Sequence, residues 1–288
     1  MLQDLEYGRL ENEFRNLEPT AQDVVVCFED NQVLIKRNAD DTLQLPTYGE
    51  VMAWAWEENW PHWNEAEVQY VFRLHDVNYF IWMGQAGKCG DPAYAYETVR
   101  TLRQLTSKKI CFAVMTAWHL FVWYRDNRFC GRCGTATVHD HRERMMRCPN
   151  CGNMIFPKIA PAVIIAVTNG NRLLLTKYAG RAYTRYALIA GFTEIGETAE
   201  QTVQREVMEE VGLRVKNVRY YKTQPWGVES DLLLGYYCDL DGDDTIQLDQ
   251  MELSVAEWFE REAVPAEDDG ISLTREMIRV FVEGREPK

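Results

Sequence analysis

The sequence predicts a multidomain α+β protein with three parts: an N-terminal α+β domain over residues 1–128, a cysteine-bearing insert over 129–156, and a C-terminal domain over 157–288. Three observations carry this. Runs of strands precede runs of helix in the first part, an α+β signature. Two C-x-x-C pairs bracket the insert. The third part alternates strand and helix signals around one carboxylate-rich helix with well-marked ends.

The bulk numbers bound the function. A chain of 288 residues, 46% hydrophobic and 26% charged, can bury a sizeable core. The formal net charge of -13 repels polyanions and disfavours general nucleic-acid binding, so an anionic substrate needs a mediating cation. The first twenty residues are charged and lack the apolar run of a signal peptide, and no segment approaches a membrane span in length. A cytoplasmic protein is expected. Of 8 cysteines, four form the C-x-x-C pairs; Cys27, Cys89, Cys111 and Cys238 are scattered and expected to be reduced, mostly as core residues.

In the first part, Val24–Phe28, Val33–Lys36, Tyr70–Leu74 and Tyr79–Met83 read as strands. Four tryptophans crowd into Met52–Trp63. Asp91-Pro92 has the form of an N-cap followed by proline, so a helix is expected from there to Ser107, then a second over Ile110–Tyr124. In the third part, Ala162–Val167, the Asn169-Gly170 turn and Arg172–Thr176 read as a hairpin. Strands near Val218–Thr223 and Leu232–Cys238 and a terminal helix over Ser272–Glu283 follow the acidic helix.

The insert reads as a zinc ribbon. Cys130-x2-Cys133 and Cys148-x2-Cys151 can each reach one tetrahedral ion from a tight turn, and Gly134 and Gly152 suit those turns. Four protein ligands leave no open position, so this Zn2+ is expected to be structural. His139 and His141 read as bystanders, and Arg142, Arg144 and Arg147 are balanced by Asp140 and Glu143 in the same loop.

The acidic helix lies within Gly191–Leu213. Thr198 and Gln201 form a capping box, and Gly212 sits where a C′ glycine belongs. Ala199, Val203, Val207 and Val211 make an apolar stripe. Glu206, Glu209 and Glu210, at i, i+3 and i+4, share one face beside it. Each like-charge pair costs about 0.2–0.5 kcal/mol, and two of the three sit at the negative end of the helix dipole. A hard dication with oxygen ligands would relieve that cost, and Arg205 could hold one carboxylate.

Gly191, Glu197, Arg205-Glu206, Val207, Glu209-Glu210, Gly212 and Leu213 together meet every constrained position of the Nudix box. This resemblance implies an α/β/α sandwich with a mixed sheet and hydrolysis of a nucleoside diphosphate linked to another group. Glu206 and Glu210 would be first-choice ligands, and Glu209 or Glu210 the base.

A ribbon directly before such a domain resembles the NADH pyrophosphatase, or NAD(+) diphosphatase, family. That family carries Ser-Gln-Pro-Trp-Pro-Phe-Pro-x-Ser downstream of the box. Here stand Thr223, Gln224, Pro225, Trp226, Gly227, Val228, Glu229, Ser230 and Asp231. Gln224, Pro225 and Trp226 match; the Gly227-Val228-Glu229 departure puts the nicotinamide preference in question. The resemblance, which runs from Phe129 to the last helix, implies further roles. Phe192 would stack on nicotinamide, and Ala190 would lend its carbonyl to a catalytic Mg2+ or Mn2+. Phe156 would line the substrate site, Glu252 would complete the metal and substrate site, and Thr274 is a weaker substrate match. It also implies a homodimer, hydrolysis of NADH or NAD+ to nicotinamide mononucleotide and AMP, and removal of NAD caps from RNA 5′ ends. ADP-ribose or a diadenosine polyphosphate is an alternative substrate. A non-catalytic nucleotide- or RNA-binding module is a further alternative, and the intact Glu206, Glu209 and Glu210 argue against it.

Overall fold

The computed structural model describes residues 1–5, 9–40, 42–57, 67–84, 91–102, 107–180, 184–267 and 269–288. Trp60, Trp63 and Cys89 lie outside them. The chain divides into two compact units, one of residues 2–158 with 227–229, the other of residues 1, 159–226 and 230–288.

The first unit contains β1 (Leu10–Glu11), β2 (Val24–Glu29), β3 (Gln32–Arg37), β4 (Leu43–Gln44), α1 (Tyr48–Glu57), β5 (Val68–Leu74), β6 (Val77–Trp82), β7 (Tyr94–Thr98) and α2 (Lys108–Asp126). Its sheet runs β1-β5-β6-β2-β3-β4, with β7 on β3. β2 and β6 are parallel; the other pairings are antiparallel. Phe28 of β2 meets Trp118 and Phe121 of α2 at ring-centroid distances of 5.2 and 4.9 Å.

The helix expected from Asp91 to Ser107 is not formed over residues 91–101; Leu102 is helical, and 103–106 lie outside the described residues. Asp91 turns the chain instead of capping a helix. Its Oδ1 accepts from Ala93 N at 2.9 Å, an Asx turn, and its carbonyl accepts from Tyr94 N at 3.0 Å. The Tyr-Ala-Tyr-Glu-Thr run that follows is rich in strand formers and pairs with β3 as β7. The expected second helix is present as α2, and the four expected strands as β2, β3, β5 and β6.

The ribbon adds β8 (Val138–His139), β9 (Met146–Arg147) and β10 (Met154–Ile155), paired antiparallel as β10-β9-β8.

The second unit contains β11 (Ala160–Asn169), β12 (Arg172–Tyr178), β13 (Ile189–Phe192), α3 (Ala199–Val211), β14 (Val215–Trp226), β15 (Asp231–Leu240), β16 (Leu253–Glu260) and α4 (Leu273–Val282). Its sheet runs β14-β15-β11-β12-β16, with β13 on β11. β11 and β15 are parallel and their neighbours antiparallel, so the sheet is mixed. Strand alternation divides two cores. Val163, Ile165 and Val167 face α3 with Val203, Val207 and Val211. Ile164 and Ala166 face α4 with Met277, Ile278 and Phe281. One helix on each face of a mixed sheet is the α/β/α sandwich that the resemblance implies.

Candidate metal and substrate sites

In the ribbon, the four cysteines form two similar knuckles. Gly134 N donates to the Cys130 carbonyl at 2.8 Å and Gly152 N to that of Cys148 at 3.0 Å. Both glycines have positive φ, 72° and 70°, where a side chain would be strained. The knuckles bring all four Sγ atoms within 4.8 Å of one another. Cys130 and Cys151 sulfurs are 3.6 Å apart, Cys133 and Cys148 sulfurs 3.4 Å. Tetrahedral Zn–S bonds of about 2.3 Å require sulfurs about 3.8 Å apart, so the cage has the size that zinc needs. His139 is outside the cage; its ring packs on Tyr124 at 5.0 Å, and burial pushes its pKa down.

The second site is built on α3. Thr198 Oγ1 accepts from Gln201 N at 3.3 Å and Gln201 Oε1 from Thr198 N at 2.8 Å, closing the capping box. Gly212 ends the helix at φ 68°. Burial of Val203, Val207 and Val211 sets the helix rotation. Glu206 and Glu210 are then largely buried, at 8% and 2% exposure, while the Glu209 side chain remains 58% exposed.

Arg205 organises these carboxylates. Its Nη1 donates to Glu206 Oε1 at 2.7 Å and Glu209 Oε2 at 2.8 Å. Its Nε and Nη2 donate to Glu197 Oε1 and Oε2 at 2.7 and 3.0 Å, and Nη2 also reaches the Phe192 carbonyl at 2.9 Å. The hydrogen bond from Arg205 is the main cause holding the Glu197 carboxyl at about 2. Glu197 also accepts from Thr202 Oγ1 and Glu194 N. Arg205 thus joins three carboxylates, where the sequence suggested one.

Burial first, and then the nearby charges of Glu209 and Glu252, push the Glu206 pKa up against the opposing pull of Arg205. Glu252 is therefore within electrostatic reach of the helix although 46 positions away in sequence (252 − 206). Its loop is docked on the C-terminal end of α3. Asp249 N donates to the Glu210 carbonyl and Gln247 N to the Val211 carbonyl, both at 2.9 Å, satisfying acceptors that the helix end leaves open. A Cβ at Gly191 would fall inside the Glu206 carboxyl group, so the first position of the box has to lack a side chain.

The remaining expected residues are placed as follows. Ala190 and Phe192 lie on β13; Phe192 is exposed, and the Ala190 side chain packs toward the α4 core. Thr223 shares a 2.6 Å hydrogen bond with Tyr220 OH. Gln224 is fully buried, Pro225 exposed, Trp226 and Ser230 half-buried and Asp231 buried. Thr274 is half-buried in the first turn of α4. Gly227, Val228, Glu229 and Phe156 belong to the first unit. There Gly227 abuts the Met115 carbonyl, Glu229 pairs with Arg100, and Phe156 is exposed. Glu206, Glu209, Glu210 and Glu252 are thus brought together. Glu197, Gly191 and Asp249 were not singled out for the work they do. The first two stand at fixed positions of the box, and nothing in the sequence marks Asp249 as an anchor.

Residues 158–281 match the NUDIX domain family and residues 125–156 the NADH pyrophosphatase zinc ribbon domain. The NAD-capped RNA hydrolase NudC of Pseudomonas aeruginosa (strain LESB58) is 38% identical over 165 residues, 57% of this chain and 59% of that protein. NudC of Vibrio atlanticus (strain LGP32) is 36% identical over 179 residues, 62% and 63% of the two chains. NudC of Pectobacterium atrosepticum is 41% identical over 143 residues, 50% and 55%. The chain spans 55% to 63% of the length of these relatives.

Proposed function

From a chain that belongs to the Nudix family and carries an NADH pyrophosphatase zinc ribbon, we propose metal-dependent hydrolysis of the pyrophosphate bond of NADH or NAD+, giving reduced or oxidised nicotinamide mononucleotide and AMP. The carrying observation is the convergence of Glu206, Glu209 and Glu252 charges beside the buried Glu210.

The donor set fits Mg2+ or Mn2+: carboxylate oxygens suit hard cations, and crowded negative charge is relieved by one. When bound, such an ion neutralises pyrophosphate charge and polarises phosphorus. Glu206, Glu210 and Glu252, with the Ala190 carbonyl and Glu209, would hold it. Arg205 keeps Glu206 and Glu209 oriented. A water oxygen attacks phosphorus, the bridging P–O bond breaks, and the water proton passes to a carboxylate oxygen of Glu209 or Glu210. Phe192, exposed beside the box, offers a ring face for nicotinamide. Thr223, Pro225, Trp226, Ser230, Asp231 and Thr274 would frame the substrate.

NAD-capped RNA is a second substrate in this reading, supported by the relatives, which are NAD-capped RNA hydrolases. The reading includes a homodimer, from the family resemblance, and a cytoplasmic location. Among the described residues, no helix is long and apolar enough to cross a membrane. Turnover of NADH, NAD+, ADP-ribose and diadenosine polyphosphates with Mn2+ tests the specificity. NADH or NAD+ should rank first; if both rank below ADP-ribose, the nicotinamide assignment fails.

A further inference from the structure

We infer that Gln224 is a positioning residue: its buried carboxamide fixes the first turn of α4, and with it Thr274, instead of touching the substrate. The role follows from strand alternation. Thr223 pairs with Leu234, which packs in the α3 core; Gln224 pairs with Leu233, which packs in the α4 core. Paired residues point to the same face. Gln224 therefore faces away from the carboxylate helix.

There its amide is fully engaged. Nε2 donates to the Ile271 carbonyl at 2.7 Å, and Oε1 accepts from Leu273 N at 2.7 Å. Leu273 is the first residue of α4, so its N–H is one of the donors that a helix start leaves unsatisfied. Ser272 caps a different one, Arg275 N, at 3.3 Å. Two residues before Gln224 on the same strand, Lys222 Nζ reaches Glu276 Oε1 at 2.6 Å. Gly235, paired with Lys222, completes the seat: a Cβ there would lie 2.8 Å from Met277 Sδ and 3.2 Å from Leu273 Cδ2. The end of β14 thus grips α4 at its first turn and one turn on.

A side chain here has to donate and accept at once. Glutamine does; glutamate accepts and does not donate; methionine, of similar length, does neither to useful strength. The kinetic part of the inference rests on the proposed function, in which Thr274 meets the substrate. The structural part is independent of it.

The test compares wild type, Gln224→Glu and Gln224→Met by hydrogen exchange at the Leu273 amide and by steady-state NADH hydrolysis with Mn2+. In Gln224→Met, exchange at Leu273 should quicken about tenfold, the scale of unpairing a buried N–H. KM should rise about tenfold while kcat and its pH profile stay within about twofold, the signature of lost uniform binding. Gln224→Glu, which keeps the acceptor, should retain most of the Leu273 protection. Unchanged exchange in Gln224→Met, equal loss in both variants, or a fall in kcat at constant KM would overturn the inference. If wild type does not hydrolyse NADH, the functional reading fails and the exchange comparison still decides the role of Gln224.

Discussion

Gly191 and Glu197 act on the carboxylates at one remove. At Gly191 the φ is ordinary, and what excludes a side chain is the Glu206 carboxyl group occupying its place. Gly191→Ala should therefore fold, because the obstacle is the mobile end of a side chain, yet it should displace Glu206. We expect hydrolysis to fall about 100-fold, the scale of an ångström of misplacement, with a melting temperature close to wild type; full activity would show that Glu206 need not sit there. Glu197 makes a pH prediction. Arg205 depresses its pKa from the ordinary 4.5 to about 2 in the folded state. The pair therefore stabilises fully above about 4.5, and its contribution is lost as pH falls through about 2. Between those limits the melting temperature of wild type should drop more steeply than that of Glu197→Gln; parallel curves would contradict the clamp. Both residues were legible as box positions. Their work was not, because it depends on which side chain each one touches.

At the scale of elements, local signals that closed on themselves were readable and those that competed were not. The capping box at Thr198 and the glycine at 212 bounded α3 in the sequence as they do in the structure. An equivalent capping box opens α1, where Thr47 Oγ1 accepts from Glu50 N and Glu50 Oε2 from Thr47 N. Asp91-Pro92 misled, since an aspartate before proline starts a turn as readily as a helix, and pairing with β3 decided the outcome. β16 gave little signal because only Leu253 of its residues is buried, and the exposed Ser254, Glu257 and Glu260 break up its apolar run. The ribbon was legible throughout, as metal-ligand spacing is written in the chain. Removing one ligand should test it. Cys148→Ser should lower zinc content from about one per chain to near zero and expose amides 128–156 to exchange. α3, in the other unit, should keep its protection. Zinc retained at full stoichiometry would contradict the four-cysteine cage.

For the whole molecule, charge sets the terms of substrate entry. At -13, the protein should not hold an RNA chain by its phosphates. If capped RNA is cleaved, recognition rests on the cap. Its cleavage should then hold steady or rise as salt is increased, whereas phosphate-driven binding would weaken steeply. Uncapped RNA should not compete; competition would place the affinity in the chain. The α/β/α sandwich of the second unit followed from resemblance across the box, while the two hydrophobic cores that orient α3 and α4 became visible only through strand register. The account depends finally on the α3 carboxylates acting on a pyrophosphate. The most direct measurement is NADH hydrolysis with Mg2+ or Mn2+, wild type beside Glu210→Gln, with products separated by chromatography. Equal amounts of AMP and reduced nicotinamide mononucleotide from wild type, with loss of roughly 100-fold or more in the variant, are predicted. Wild-type rates in Glu210→Gln, or no cleavage by wild type with either metal, would contradict it.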